Sequence, residues 1–427
     1  MKENLTTSNK FKGDGVIWTV FFFLCIISII EVFSASSNLS FKTGDYLKPV
    51  IKHCLLLLLG VFAMVATMNV KCKYFKIVTP FALIFSFFGL IAVFAFGEVT
   101  NGSQRWLSLF GIQFQPSELA KGALILATAQ ILSAMQTVQG ADRSAFKYIL
   151  IVCVFIVPLI MLENLSTAAL LCLVIFIMMF IGKVPKVQLG RLLGVVAISA
   201  TLALSGIMLI GHDKSKDNVK DEKMSMVQEV EKKDDTLLDK IFHRADTWKA
   251  RIDKFLDNKE VPPEEVDLDK DAQESHAKIA IASSNIVGKG PGNSVERDFL
   301  SQAFSDFIYA IIIEEMGIVG AALVVFLYIV LLFRTARIAN RCDNNFPAFL
   351  CMGFALMLVI QASANMLVAV GIVPVTGQPL PLISKGGTST IINCAYIGAI
   401  LSVSRTAKKK QAFVTEKVEN TGDLVIK

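Results

Sequence analysis

The sequence is short of charge. Asp, Glu, Lys and Arg make up 18% of its 427 residues, where a soluble globular chain carries about a quarter. That shortage excludes the two or three soluble domains that length alone suggests. Patterned cysteine is lacking as well. Cys25, Cys54, Cys153, Cys172, Cys351 and Cys394 lie in apolar runs, Cys72 and Cys342 lie in short basic loops, and none falls in the polar stretch 212–305. No disulfide framework and no CxxC metal site follows from that distribution. The first apolar run has no small-residue cleavage site behind it, so it is expected to remain as a span. No internal repeat is visible. The net charge of +6 is not a nucleic-acid signal, because the basic residues sit in short clusters between apolar runs, which is a topology signal.

Apolar residues are plentiful. They form 54% of the chain, and the mean hydropathy is +0.58. A run of about 20 apolar residues spans a bilayer, and runs of that kind fall at roughly 16–35, 50–68, 77–97, 117–136, 147–163, 166–182, 192–211, 306–333, 346–370 and 387–404. Lipid offers backbone groups no partner, so helix is the expected state, and the runs lack the alternation of barrel strands. The predicted fold class is an all-α polytopic membrane protein of about ten transmembrane helices, with a long extracytoplasmic loop between helices seven and eight. The expected organisation is an N-terminal tail at 1–15, helices one to seven over 16–211, the loop at 212–305, helices eight to ten over 306–404, and a C-terminal tail at 405–427.

Orientation follows from Lys and Arg in the short loops. Lys2, Lys10 and Lys12, then Lys71, Lys73 and Lys76, Arg143 and Lys147, Lys183, Lys186 and Arg191, Arg334, Arg337 and Arg341, and Arg405 with Lys408–Lys410 all fall on one side. That side is expected to be cytoplasmic and to hold both termini. Lys42 and Lys48, against Asp45, are the exception in the first outer loop. Residues 213–235 are almost all polar or charged and are expected to be mobile. Over 237–255, Leu238, Ile241, Phe242, Ala245, Trp248, Ile252 and Phe255 recur at helical spacing. That pattern is an amphipathic helix, either at the membrane surface or packed on the bundle.

Polar residues cluster where lipid makes them costly. Asn101–Trp106 precedes Gln113-Phe-Gln-Pro-Ser-Glu-Leu-Ala-Lys121. Pro116 suits a first helical turn, with Gln115 or Ser117 as the cap. Glu118 and Lys121 share a helix face, as a structural ion pair or as functional groups. Glu163–Thr167 reads most simply as a helix cap. Asn285–Ser294 holds Gly288, Gly290 and Gly292 with Lys289, a backbone able to approach a diphosphate, although it matches no P-loop or dinucleotide pattern. Ser305–Gly317 opens a span with Asp306 and buries Glu314 and Glu315. Asp306 is either a plain N-cap or a chemical group. Arg105 and Lys121 are the expected partners of these carboxylates. Pro374–Ser389 has three prolines and three glycines, an irregular backbone that needs protein or a cavity around it.

In order and in wording these stretches resemble the SEDS family of cell-wall synthases, and the likeness covers nearly the whole chain. Residues 103–121, 288–294, 305–317 and 374–389 each look like a family segment, and Asn293–Phe299 with Pro374–Gly377 look most like its division branch. The chain departs from the family pattern at Asn164, His276 and Lys385, where Asp, Gln and Tyr are usual.

The resemblance implies a peptidoglycan glycosyltransferase that polymerises lipid II at the outer face of the bacterial cytoplasmic membrane, at the division septum, with Asp306 as the essential aspartate. It implies as partners the lipid II substrate and growing glycan strand, a class B penicillin-binding protein transpeptidase, divisome regulatory subunits and membrane lipid. The expected catalytic residue is Asp306. The expected substrate-binding residues are Arg105, Glu118, Lys121, Gln273, Lys289, Asn293, Ser294 and Lys385, and Asp298 and Phe299 are expected to couple to the partner. The acceptor hydroxyl needs a base, which a carboxylate supplies, and the departing diphosphate needs positive charge or a metal. One carboxylate acting on one face implies inversion. A divalent cation, Mg or Mn, is compatible with that chemistry, but no ligand spacing fixes it. No organic cofactor is expected. A lipid II flippase shares the broken helices and intramembrane charge, but no inverted repeat is visible, and Asp306 is expected at a membrane boundary rather than at the midplane. A third alternative is a scaffold that only recruits a transpeptidase.

Overall fold

The structure, a computed structural model, describes residues 13–43, 48–100, 103–109, 112–210, 272–300 and 305–425. Residues 213–235 and the expected amphipathic helix at 237–255 lie outside the described residues. The chain divides into two compact units. One is Met1–Lys186 with Asp267–Ile372 and Thr376–Lys427; the other is Val187–Val266 with Val373–Val375.

In the first unit the order is α1 (Gly15–Thr43), α2 (Lys48–Asn69), α3 (Cys72–Phe96), strands β1 (Glu98–Thr100), β2 (Ser103–Leu109) and β3 (Ile112–Phe114), then α4 (Pro116–Ala134). A two-residue pair follows, β4 (Gln136–Thr137) and β5 (Gly140–Ala141), and then α5 (Arg143–Glu163) and α6 (Leu165–Ile181). The described part of the second unit is helix α7 (Lys186–Ile210), apart from its first residue, together with Val373–Val375, and Val187, Leu193, Val195, Val196 and Ile198 are exposed on α7. The first unit resumes with α8 (Ala272–Ala282), α9 (Ile308–Ala339), α10 (Asn345–Ala369) and α11 (Thr388–Val425).

Among the described residues a helix overlaps each of the ten expected segments. Among the described residues, six helical stretches are long and apolar enough to cross a membrane by themselves: Gly15–Ser34, Val50–Asn69, Cys72–Val93, Arg143–Glu163, Ile308–Ala339 and Asn345–Ala369. Leu165–Ile181 is a shorter apolar helix. Helix α4 carries Glu118, Lys121 and Gln130, yet most of it is buried. A helix wrapped by protein need not be as apolar as one facing lipid. On α3, by contrast, Phe81, Phe85 and Phe88 are exposed along one face, as expected where lipid is the neighbour.

Close approach of α2 and α11 depends on small residues. A Cβ on Gly60 would lie 2.8 Å from the Cys394 Sγ, and one on Gly398 would lie 2.4 Å from the Met64 carbonyl oxygen. Such contacts let helices associate where lipid supplies no hydrophobic drive. At one end of the bundle Asp14 ties three helices. Its carboxylate accepts from the α1 backbone at Val16 and Ile17, pairs with Arg334 on α9 at 2.9 Å, and its own amide donates to the Ser404 Oγ on α11.

The strands between α3 and α4 form a small antiparallel meander in the order β1-β2-β3, with Glu98 opposite Trp106 and Leu107 opposite Phe114. They leave little signal in the sequence, because Ser103-Gln-Arg-Trp-Leu-Ser-Leu109 shows no strict alternation and a search for long apolar runs passes over it.

Candidate active site

Asp306 stands at the end of the bundle away from Asp14. Helix α9 begins at Ile308 with Phe307 as its N-cap residue (φ −109°, ψ 15°), and no side chain caps it. Asp306 therefore lies one residue ahead of the cap position and does not act as the N-cap. It is half-buried, and its carboxylate accepts a 3.0 Å hydrogen bond from the Ser305 hydroxyl. Gly377, at φ +65°, lies against it. A Cβ there would come 3.5 Å from the Asp306 Oδ2 and 3.8 Å from the Arg105 Nη1, so carboxylate and guanidinium converge on one glycine. Strand β2 carries Arg105, and its Nε donates to the Glu163 carbonyl at 3.2 Å. The meander thus brings a cation to the aspartate from a distant part of the chain.

Beneath this pair runs a buried polar brace. Lys121 is fully buried and meets Glu118 at 2.8 Å and the Gln361 Oε1 at 2.9 Å. Gln361 donates to the Pro379 carbonyl at 3.1 Å. One turn along α10, the Asn365 Nδ2 donates to both the Asp306 carbonyl (2.8 Å) and the Gln378 carbonyl (2.7 Å). Gln378 reaches the Thr167 Oγ1 at 2.7 Å, and Asn164 caps the start of α6 beside it. Ser384 Oγ donates to the Ser305 carbonyl at 2.6 Å, and Tyr328 holds the Pro381 carbonyl. The irregular 376–384 segment is thereby bonded to α6, α9 and α10, and through Gln361 to Lys121 of α4, which is how it is tolerated inside a membrane protein. Gln361 and Asn365 did not stand out in the sequence reading. Their signal is two polar residues four apart inside an apolar helix, a default functional pattern in a span.

The glycine-rich loop is committed elsewhere. Helix α9 breaks at Gly317 (φ 66°, ψ −170°), and residues 286–290 fill the break. The amides of Lys289 and Gly290 donate to the carbonyls of Glu314 and Glu315, and the Val319 amide donates to the Ile286 carbonyl. A Cβ on Gly288 would lie 2.3 Å from the Glu315 carbonyl oxygen, so only glycine fits. Lys289 Nζ pairs with Glu314 at 2.7 Å. Ser294 hydroxyl bonds the other oxygen of Glu314, while the amides of Gly292 and Ser294 and the Ser34 hydroxyl bond the Glu315 carboxylate. Asn293 reaches back to the Lys289 carbonyl. Lys289, Asn293 and Ser294 are thus gathered around Glu314 and Glu315, while Arg105 is gathered at Asp306. Glu118 and Lys121 stand behind the brace.

Arg297 donates to Ser34 and to the Gly292 carbonyl. Asp298 closes a short 3-10 turn that begins at Glu296. Phe299 is exposed and stacks on His276 at 5.0 Å between centroids, and His276 meets Glu296 at 2.6 Å. Gln273 lies half-buried in the first turn of α8. Lys385, half-buried in the loop before α11, has its pKa lowered by burial and by the like charge of Lys52. Among the described residues no three His, Cys, Asp or Glu side chains converge as a metal site.

These features define a multi-pass membrane protein in which Asp306 and Arg105 both lie beside Gly377, above a buried hydrogen-bonded brace. The chain belongs to the FtsW/RodA/SpoVE family of cell cycle proteins, whose model matches residues 14–409. It is 30% identical to the probable peptidoglycan glycosyltransferase FtsW of Geobacter sp. (strain M18), over 92% of this chain and 96% of that protein. It is 28% identical to the peptidoglycan glycosyltransferase MrdB of Escherichia coli K12, over 81% of this chain and 82% of that one. Its fold matches a chain from a solved peptidoglycan synthase complex that coordinates polymerization and crosslinking, with a TM-score of 0.67 and 22% identity, covering 92% of this chain and 98% of the other.

Proposed function

We propose that this chain is an inverting peptidoglycan glycosyltransferase that polymerises lipid II into glycan strands during septal wall synthesis, with Asp306 as the general base. The observation that carries the reading is the convergence of Asp306 and Arg105 on Gly377. The acceptor's hydroxyl gives its proton to the Asp306 carboxylate as its oxygen bonds the donor's anomeric carbon, and the bond from that carbon to the diphosphate oxygen breaks. Arg105 stabilises the charge that develops on the diphosphate. The residues around Asp306 supply one carboxylate, and that carboxylate handles the proton. Mg or Mn would therefore be held through the substrate's own diphosphate oxygens, the usual manner for Mg, and would add charge neutralisation there.

The names of the similar proteins and the family membership support the activity. The related solved complex supports a transpeptidase partner, for which the exposed Phe299 at the end of the 3-10 turn is the proposed contact. Glycan strands made from lipid II by purified protein, resolved on a gel, test the reading; substrate left unpolymerised with the partner present overturns it.

The proposed orientation has both termini cytoplasmic and residues 212–305 outside, from the Lys/Arg asymmetry. A cysteine introduced as Ser225→Cys is expected to react with an impermeant maleimide in intact spheroplasts. Labelling only after lysis reverses the orientation.

A further inference from the structure

Asp306 lies outside the helix it precedes. The amides of Ala310 and Ile311 turn back to the Phe307 carbonyl, so the hydrogen-bond ladder of α9 starts after Asp306, and no side chain caps the helix. The two carbonyls ahead of that ladder are taken by side chains from other parts of the fold. Ser384 Oγ donates to the Ser305 carbonyl at 2.6 Å, and Asn365 Nδ2 donates to the Asp306 carbonyl at 2.8 Å. Both side chains are buried.

Each of these side chains also grips the segment that faces the aspartate. The second N–H of Asn365 goes to the Gln378 carbonyl at 2.7 Å, and the Ser384 hydroxyl accepts from the Leu380 amide at 2.8 Å. Gln378 follows Gly377, the glycine beside which the Asp306 carboxylate and the Arg105 guanidinium both lie. The two clasps therefore fix where the Asp306 backbone sits relative to Gly377. The Asn365 amide is kept at a cost. Its Oδ1 is buried with no hydrogen-bond partner among the described residues, and an unmatched buried acceptor is destabilising. Natural proteins keep such local costs chiefly at functional sites.

We propose that Asn365 and Ser384 are positioning residues for the glycosyl transfer, which touch no reacting atom and hold the Asp306 carboxylate where the acceptor hydroxyl gives up its proton. This rests on the glycosyltransferase reading and deepens it. A carboxylate works as a base only within hydrogen-bond reach of the proton it takes. A residue ahead of a helical ladder depends on tertiary contacts for that reach. Loss of either clasp lets the aspartate drift from Gly377 and leaves the groups that bind lipid II in place.

The test uses full-length protein in phosphatidylcholine nanodiscs with the transpeptidase partner present and lipid II as substrate. It reads kcat and KM separately, beside the melting temperature. Asn365→Ala is expected to lower kcat about 100-fold, the cost of a displacement of about 1 Å at a reacting group. KM for lipid II is expected to stay at the parent value, because the carboxylate is used only as the new bond forms. Ser384→Ala is expected to lower kcat in the same way, and Ser384→Thr, which keeps the hydroxyl, to recover most of it. Both residues act on one aspartate, so the double variant Asn365→Ala/Ser384→Ala is expected to lose less than the product of the two single losses. A KM that rises in Asn365→Ala makes the amide a substrate contact, and a kcat within a few-fold of the parent makes it a part of the scaffold alone. Either result overturns the proposal. If Asn365→Ala melts below the assay temperature, the serine pair decides, and equal kcat in Ser384→Ala and Ser384→Thr overturns it. An active parent with unaffected variants sinks this inference alone. A folded parent that polymerises no lipid II sinks the glycosyltransferase reading, and the positioning role falls with it.

Discussion

Asp306→Asn is expected to give a folded, membrane-inserted protein that polymerises almost no lipid II. The stability side is small because Asp306 caps no helix. Its carboxylate accepts a hydrogen bond from Ser305, and the asparagine oxygen accepts the same bond. The stronger anchor, Asn365 to the Asp306 carbonyl, is a main-chain contact that the substitution leaves in place. A loss of at most about 1 kcal/mol follows. The chemical side is large, since removing a general base costs about 100- to 10,000-fold in rate. Polymer yield from lipid II, measured beside the melting temperature in detergent, separates the two. Turnover within a few-fold of the parent would clear Asp306 of the role. Glu118 and Glu314 would make poor substitutes, because both are buried and already bonded to a lysine.

Lys121→Met is expected to have the largest effect on stability. Lys121 is fully buried, and the substitution leaves Glu118 buried without its cation and Gln361 without its bond. Breaking a buried pair from one side costs about 3–5 kcal/mol. The double variant Glu118→Leu/Lys121→Met removes the stranded charge and is expected to recover most of the melting temperature, since replacing a whole buried pair is often neutral. Activity is not expected to recover with it. Gln361 braces the Pro379 carbonyl, and that segment carries Gly377 against Asp306. A double variant no more stable than the single one would show that Glu118 does not carry the penalty.

The helices were legible because lipid enforces a simple rule, long and apolar, and Asn164 was legible as a cap because capping is local. Asp306 stood out as a carboxylate at the head of a span. The brace was harder to read. Gln361, Asn365 and Gln378 act through contacts that join α4, α6 and α10 to residues 376–384, and nothing local announces a partner more than a hundred positions away. Lys289 was legible as a cation in a flexible glycine loop. Its pairing with Glu314 was not, because the loop and the carboxylate meet only once α9 breaks at Gly317. Arg105 was read as a cation, but the strands of the meander that carries it to the aspartate are too short and too irregular in pattern to stand out among apolar runs.

The break at Gly317 also sets an order of biogenesis. The Ile286 carbonyl and the amides of Lys289 and Gly290 complete the backbone of α9, while Lys289 neutralises its carboxylate at Glu314 and Ser294 donates a hydrogen bond to it. These residues leave the ribosome before α9 does. When that helix emerges, its missing partners already exist, so the costly group need never face hydrocarbon alone. A chain lacking residues 285–294 would deliver α9 to the membrane with an open backbone and two uncovered glutamates, and its fate would be decided at insertion, before any catalysis.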